Sequence, residues 1–180
     1  ADISWLQWQE DMGIRFSDGG VEGDALAILR DNGFNYIRLR TFVNPRSELG
    51  YSQRDGYCDL EHTLAMAKRI KEAGMMFLLD FHYSDNWADP QKQIMPQAWQ
   101  TFSYDEVCDA VYEHTKEVLL ALEAQGTMPE MVQVGNEVSN GMLWPYGSVR
   151  HTFSGLGGHL KEGVRAVREY APDAEIMIHV

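Results

Sequence analysis

The feature that most constrains this chain is a pattern repeated along it: an amphipathic helix, a glycine, then a short apolar strand. "GDALAILRDNG" reads as a helix ended by Gly33, and "NYIRLRTF" follows as a strand rich in β-branched and aromatic residues. Asp59 is placed to cap a second helix in which Leu60, Leu64, Ala67 and Ile70 share one face; Gly74 ends it, and "MMFLLDFH" is a nearly continuous apolar strand. In the third copy, Ser103 and Glu106 form an S-x-x-E capping box ahead of "VCDAVYEHTKEVLLALEAQG", and "EMVQVGNE" is the strand. A fourth helix, from about His159 to Tyr170, stops before Pro172, and "EIMIHV" is the next strand. With the opening "DISW", five strands are expected.

Strands alternating with helices imply βαβ units and a parallel sheet, either a closed (β/α)8 barrel or an open doubly wound sheet. Each strand here starts apolar and ends in polar groups: Arg38 and Arg40, then Asp80 and His82, then Asn136 and Glu137, then His179. Loops rich in aromatics and glycine follow, such as "YSDNWADP" and "SNGMLWPYG". That strand end is where (β/α)8 barrels build their sites. A nucleotide-binding sheet needs a glycine-rich turn directly after its first strand, whereas "SDGGVEG" lies some way from "DISW" and "GLGGHLKEG" lacks the third glycine. The barrel is the expected fold.

Charge narrows the partners. Fifteen Lys and Arg against 27 Asp and Glu give a net charge of −12, which repels polyanions, so no nucleic-acid partner is expected. No apolar run reaches the length of a membrane span, and no charged and apolar leader opens the chain. Cys58 and Cys108 are read as two free thiols.

Glu137 poses the chemical question. A carboxylate at the end of a buried strand is costly unless something pairs with it or it holds a proton. At this point the residues resemble a family. "ADISWL", "YIRLRTFVNP", "LLDFHYSDNWADP" with "PQAW" shortly after, "VQVGNEVSNGMLWP" and "IMIHV" match, in order, the endo-β-1,4-galactanases that cleave arabinogalactan, within the clan of retaining (β/α)8 glycoside hydrolases.

The resemblance implies an endo-acting, retaining hydrolase of β-1,4-galactan in the arabinogalactan side chains of pectin, secreted, periplasmic or at the cell surface. Retaining hydrolysis uses two carboxyl groups about 5–5.5 Å apart. By resemblance the fourth barrel strand supplies the acid/base, Glu137, and the seventh supplies the nucleophile, which falls beyond Val180. Residues 1–180 then look like the first half of a barrel plus one strand, and are expected to be inactive alone. The missing partner of Glu137 is the second carboxylate, whose charge keeps Glu137 protonated near neutral pH.

Around it, Asn136 suits the sugar 2-hydroxyl, Arg38 is a fixed cation toward the barrel mouth or part of an ion pair, and His82 orients a carboxylate, meets a sugar hydroxyl or is structural. Trp87 and Trp144 are expected as sugar platforms and Trp99 as structural. Asp85 is expected to bond sugar hydroxyls or backbone amides, and His179 to reach the site. Asp85 and Asp89 imitate metal-ligand spacing, but no His-x-His or HExxH pattern accompanies them, so no catalytic metal or cofactor is expected. Some relatives are expected to carry a structural calcium in a later loop, outside these residues. Two rival readings stand beside the galactanase: a non-catalytic sugar-binding half-barrel, and another (β/α)8 hydrolase, including one that uses a metal.

Overall fold

The computed structural model describes residues 1–180. In chain order its elements are α1 (Leu6–Asp11), β1 (Phe16–Asp18), β2 (Val21–Gly23), α2 (Ala25–Asp31), β3 (Tyr36–Thr41), α3 (Leu60–Glu72), β4 (Met76–Phe81), α4 (Tyr104–Gln125), β5 (Met131–Val134), β6 (Gly141–Met142), β7 (Gly147–Ser148), α5 (Ser154–Tyr170) and β8 (Glu175–Met177). The main sheet is parallel, in the order β3-β4-β5-β8.

Strand alternation sorts the side chains. Ile37 and Leu39 of β3, Phe77, Leu79 and Phe81 of β4, and Val132 and Val134 of β5 join one buried cluster with Met66, Ala67 and Ile70 of α3, Val107, Val111 and Leu119 of α4, and Val167 of α5. The intervening residues Arg38, Arg40, Asp80 and Gln133 point to the other face. Helices therefore cover one face only. A doubly wound sheet would bury both, so the arrangement is that of a (β/α)8 barrel wall, with polar side chains turned to the lumen.

The expected caps at Asp59 and at Ser103 with Glu106 are made, and Asp24 adds one that was not anticipated. Asp24 and Asp59 accept the N–H groups of Ala27 and His62, Ser103 and Glu106 form the reciprocal capping box, and Gly126 ends α4 at φ 76°. Helix α1 and the hairpin of β1 and β2 stand where no element was expected, and two expected elements differ. The expected "DISW" strand is a single parallel bridge, Asp2 to Arg38, because the Asp2 carboxylate takes the backbone N–H and hydroxyl of Ser4 (3.0 and 2.7 Å) and bends the chain toward α1. Helix α5 begins at Ser154, ahead of the expected His159. Its early glycines are there for contact: a Cβ on Gly158 would lie 1.8 Å from the Tyr104 hydroxyl, and one on Gly155 would lie 2.0 Å from the Tyr146 carbonyl oxygen.

Candidate active site

The site grows from the turn after β5. The strand proper stops at Val134, Gly135 turns at φ 81°, and Glu137 sits in the left-handed region at φ 48°, ψ 53°. For a non-glycine residue that conformation costs roughly 1–2 kcal/mol, so the surroundings must hold it. They do so through hydrogen bonds from both sides. Gly135 N–H donates to Phe81 O (3.1 Å), and Val138 N–H donates to His179 O (2.8 Å). The buried amide of Gln93, in the loop after β4, donates to the carbonyls of Asn136 (2.8 Å) and Glu137 (3.3 Å).

Asn136 is the hub of the polar floor. Its Oδ1 accepts from Arg38 Nη2 (2.8 Å), Gln133 Nε2 (3.1 Å) and His179 Nδ1 (3.0 Å), while its Nδ2 donates to Ala88 O (2.8 Å). A guanidinium can only donate, which fixes the amide orientation and makes His179 Nδ1 the donor in its contact. One amide hydrogen of Asn136 is left over. Arg38 is also shared between Asp2 (Nη1, 2.6 Å) and Asp80 (Nη2, 2.6 Å), and its Nε reaches Gln133 Oε1 (3.2 Å). Arg38 is therefore the centre of an ion-pair network, the second of the roles open to it. Burial opposes the charge of Asp2, but the bonds from Ser4 and the nearby Arg38 and Arg40 outweigh it and hold the carboxyl below its usual range.

Below this floor lies a second layer. Asp80 is fully buried; its Oδ1 takes Gln133 Nε2 (2.6 Å), and His82 Nε2 lies 3.0 Å from its Oδ2. His82 Nδ1 accepts the N–H of Ala88 (3.1 Å), so the ring proton is on Nε2. The side chain of His82 has no exposed surface. Of the roles open to His82, these residues show the placement beside a carboxylate, Asp80, and the tie to the Ala88 loop. Arg40 is likewise buried. Its guanidinium lies 3.9 Å from the centre of the Trp87 ring and is edged by Trp5 and Tyr51. Trp87 is half-buried, with one face given to Arg40.

Of the two roles expected of Asp85, the structure shows the bonds to backbone amides. It is buried, its Oδ1 accepts Asn44 N–H (3.0 Å) and its Oδ2 accepts Gln97 N–H (2.9 Å), so it ties together the loops after β3 and β4. Trp144 remains partly exposed beside Gln93 and Tyr146 in a cleft of ≈ 310 Å³, with its indole N–H given to Asn140 O (3.1 Å). Trp99 is buried in the core, and Cys58 and Cys108 are free thiols. No group of three or more His, Cys, Asp or Glu side chains converges as metal ligands would.

Within this network the Glu137 carboxylate has no partner; the residue's polar contacts are made by its backbone. Arg38, Asn136, Glu137 and His179 thus meet at one end of the sheet, with an uncommitted, partly exposed carboxyl group at the centre. Gln93 and Gln133 were not expected. Gln133 had a signal, a polar residue on the lumen side of "VQV"; Gln93 had none.

The family model described as glycosyl hydrolase family 53 matches residues 1–180. The chain belongs to glycosyl hydrolase family 53. As a member of family 53 it is similar to a probable arabinogalactan endo-β-1,4-galactanase A of Aspergillus terreus, at 40% identity over 183 residues, covering 100% of this chain and 50% of that protein. Among solved structures, a GH53 catalytic domain from Ignisphaera aggregans superposes with a TM-score of 0.92 at 42% identity, covering all of this chain and 50% of that one. A structure of fungal β-1,4-galactanases gives 0.90 at 33% identity, covering 52% of that chain. This family 53 chain spans about half the length of the relatives it matches, and its sheet and helices are part of their (β/α)8 barrel. An exo-β-1,4-mannosidase from an Opitutaceae bacterium, at 19% identity and a TM-score of 0.62, shares the fold.

Proposed function

We propose that residues 1–180 are the acid/base-bearing part of a single (β/α)8 catalytic domain that hydrolyses β-1,4-galactan internally, with retention of configuration. The observation that carries this reading is the unpaired Glu137 carboxyl group at a strand end, on a strained backbone held by four hydrogen bonds. A group held so firmly and bonded to nothing is arranged for something that comes and goes. Family 53 membership, and the galactanase names of its relatives, support galactan as the substrate.

In this reading Glu137 protonates the departing sugar oxygen, then takes a proton from water in the second step. The spare amide hydrogen of Asn136 serves the 2-hydroxyl of the reacting sugar. Arg38 and His179 keep Asn136 in that orientation. The nucleophile comes from outside residues 1–180, and this carboxylate chemistry calls for no cofactor. Galactan is too large to enter a cell intact, so an enzyme acting on it works outside; no helix here is long and apolar enough to cross a membrane.

The test is Glu137→Ala in the full-length protein. Turnover of polymeric galactan should fall by at least about 10²-fold, the scale of general-acid catalysis, while glycosylation by an aryl galactoside with a good leaving group should fall far less. Equal loss on both substrates would remove Glu137 from the acid/base role.

A further inference from the structure

The segment that carries Glu137 has little stiffness of its own. Residues 136–140 run from Asn136 into a single 3-10 turn, Val138–Asn140, closed by the bond from Gly141 N–H to Val138 O. Glycines in the positive-φ region flank the segment on both sides, Gly135 at 81° and Gly141 at 98°. A short 3-10 turn between two such glycines is a natural pivot, so its direction must be set from the side.

The support comes from one tight turn in the loop after β4. Asp89 N–H donates to Lys92 O (2.9 Å), Lys92 N–H donates to Asp89 O (3.0 Å), and Asp89 Oδ1 accepts the N–H of Gln91 (2.8 Å), with Pro90 setting the bend. The Asp89 carboxylate, whose spacing imitates a metal ligand, thus braces this turn. The groups around the turn face the residues on either side of Glu137. Ala88 O, just before it, accepts Asn136 Nδ2 (2.8 Å). Gln93, just after it, donates to the carbonyls of Asn136 and Glu137 and accepts the N–H of Trp144 (2.9 Å) through its own carbonyl. Pro90 O, within it, accepts Asn140 Nδ2 (2.8 Å).

The grip is therefore two-ended. Asn136 and Gln93 hold the segment as it enters Glu137, and Asn140 holds it as it leaves. The carbonyl of Asn140 also takes the indole N–H of Trp144 (3.1 Å), but that bond is made by the backbone and asks for no particular side chain. The bond to Pro90 asks for a donor on a short side chain. Strands β4 and β5 are inner neighbours in the order β3-β4-β5-β8, so the junction between their loops lies away from the edges of the sheet, and it is defined by bonds within these residues.

We propose that Asn140 is a positioning residue for the reaction: by tying the C-terminal end of the Glu137 segment to Pro90, it fixes the direction in which the Glu137 carboxyl group meets the departing sugar oxygen. The inference rests on the acid/base role proposed for Glu137. Asn140 acts through that carboxyl group and not on the sugar.

The experiment is a double-mutant cycle in the full-length protein between Asn140→Ala and Glu137→Ala, reading kcat/KM on β-1,4-galactan and on an aryl galactoside with a good leaving group. Position 140 has helical backbone, which alanine adopts without strain. Asn140→Ala should lower kcat/KM on galactan about tenfold, a part of the roughly 10²-fold cost of a misplacement of about 1 Å. On the aryl galactoside it should change by less than about twofold, because that leaving group departs with little need of a proton. The ratio of the two rates is independent of how much of a preparation is folded, so a loss of stability alone leaves it unchanged. Asn140→Asp, which keeps the shape and loses the donor, should move the ratio in the same direction. In the Glu137→Ala background, Asn140→Ala should change neither rate further, since no carboxyl group is left to direct. A ratio that stays at the wild-type value in both Asn140 variants overturns the proposal. A loss on galactan that persists in the Glu137→Ala background overturns it too, and would make Asn140 a contact for the polymer. Glu137→Ala losing both substrates equally overturns the proposed function itself, whereas a selective loss in Glu137→Ala beside a wild-type ratio in Asn140→Ala overturns the positioning role alone.

Discussion

Gln93 Nε2 lies 2.8 Å from the carbonyl oxygen of Asn136, so a side chain from the loop after β4 holds the backbone from which Glu137 projects. Gln93→Leu removes that donor and leaves a buried carbonyl unpaired, at about 1–3 kcal/mol. In the full-length enzyme, thermal stability should drop by that amount and kcat on galactan by on the order of 10²-fold, the cost of a small misplacement of a catalytic group. KM should change little. A variant with wild-type kcat and a lowered Tm would reduce Gln93 to a structural residue.

Azide gives a sharper check on Glu137. The alanine variant should accumulate a glycosyl-enzyme with an aryl galactoside, because its second step lacks a base. Azide attacks without needing one, and should restore turnover as a galactosyl azide of retained configuration, identified by NMR. The inverted azide would make Glu137 the nucleophile.

Asp85→Ala should act on stability, not on sugar contacts. It strands the N–H groups of Asn44 and Gln97, so a loss of roughly 2–4 kcal/mol in chemical denaturation is expected. KM for short substrates should hold. A large KM rise at unchanged stability would return Asp85 to the binding surface.

His159 sets an acid limit on the fold. It is fully buried, neither ring nitrogen has a partner, and burial pulls its pKa down to about 4. The unfolded chain therefore binds a proton, from about pH 6.5 downward, that the folded chain refuses. Stability is complete above pH 6.5 and declines as pH falls toward 4, by up to roughly 3 kcal/mol from this residue. His114, also lowered to about 4 by burial, adds in the same direction. Urea midpoints at pH 7, 5.5 and 4 should show the decline, and His159→Gln should reduce it, leaving the part due to His114. A midpoint independent of pH across that window would contradict the assignment.

What was legible in the sequence was local or periodic. The capping box of Ser103 and Glu106 and the alternation that put Arg38 and Arg40 on the lumen side are rules of near neighbours, and both could be read directly. The short α1 and the hairpin of β1 and β2 were missed, although Asp18-Gly19-Gly20 carries the turn chemistry, with both glycines at positive φ. Which of its two expected roles Asp85 fills could not be read, for a deeper reason. A sequence shows that a carboxylate is present but not where its lone pairs are spent, and here they go to amides 41 and 12 residues away. Gln93 was silent for the same reason, since its partner is a backbone carbonyl 43 residues on.

The left-handed backbone at Glu137 carries a consequence for inheritance. Glycine and asparagine are at ease at φ 48° and glutamate is not, so folding and chemistry prefer different letters at this codon. A duplicated copy freed from the need to cut polysaccharide would gain stability by exchanging this residue for Gly or Asn, and could persist as a sturdier, silent paralogue. On the acid/base role proposed for Glu137, the glutamate is kept only while the reaction is under selection, and position 137 marks whether a lineage still uses its enzyme.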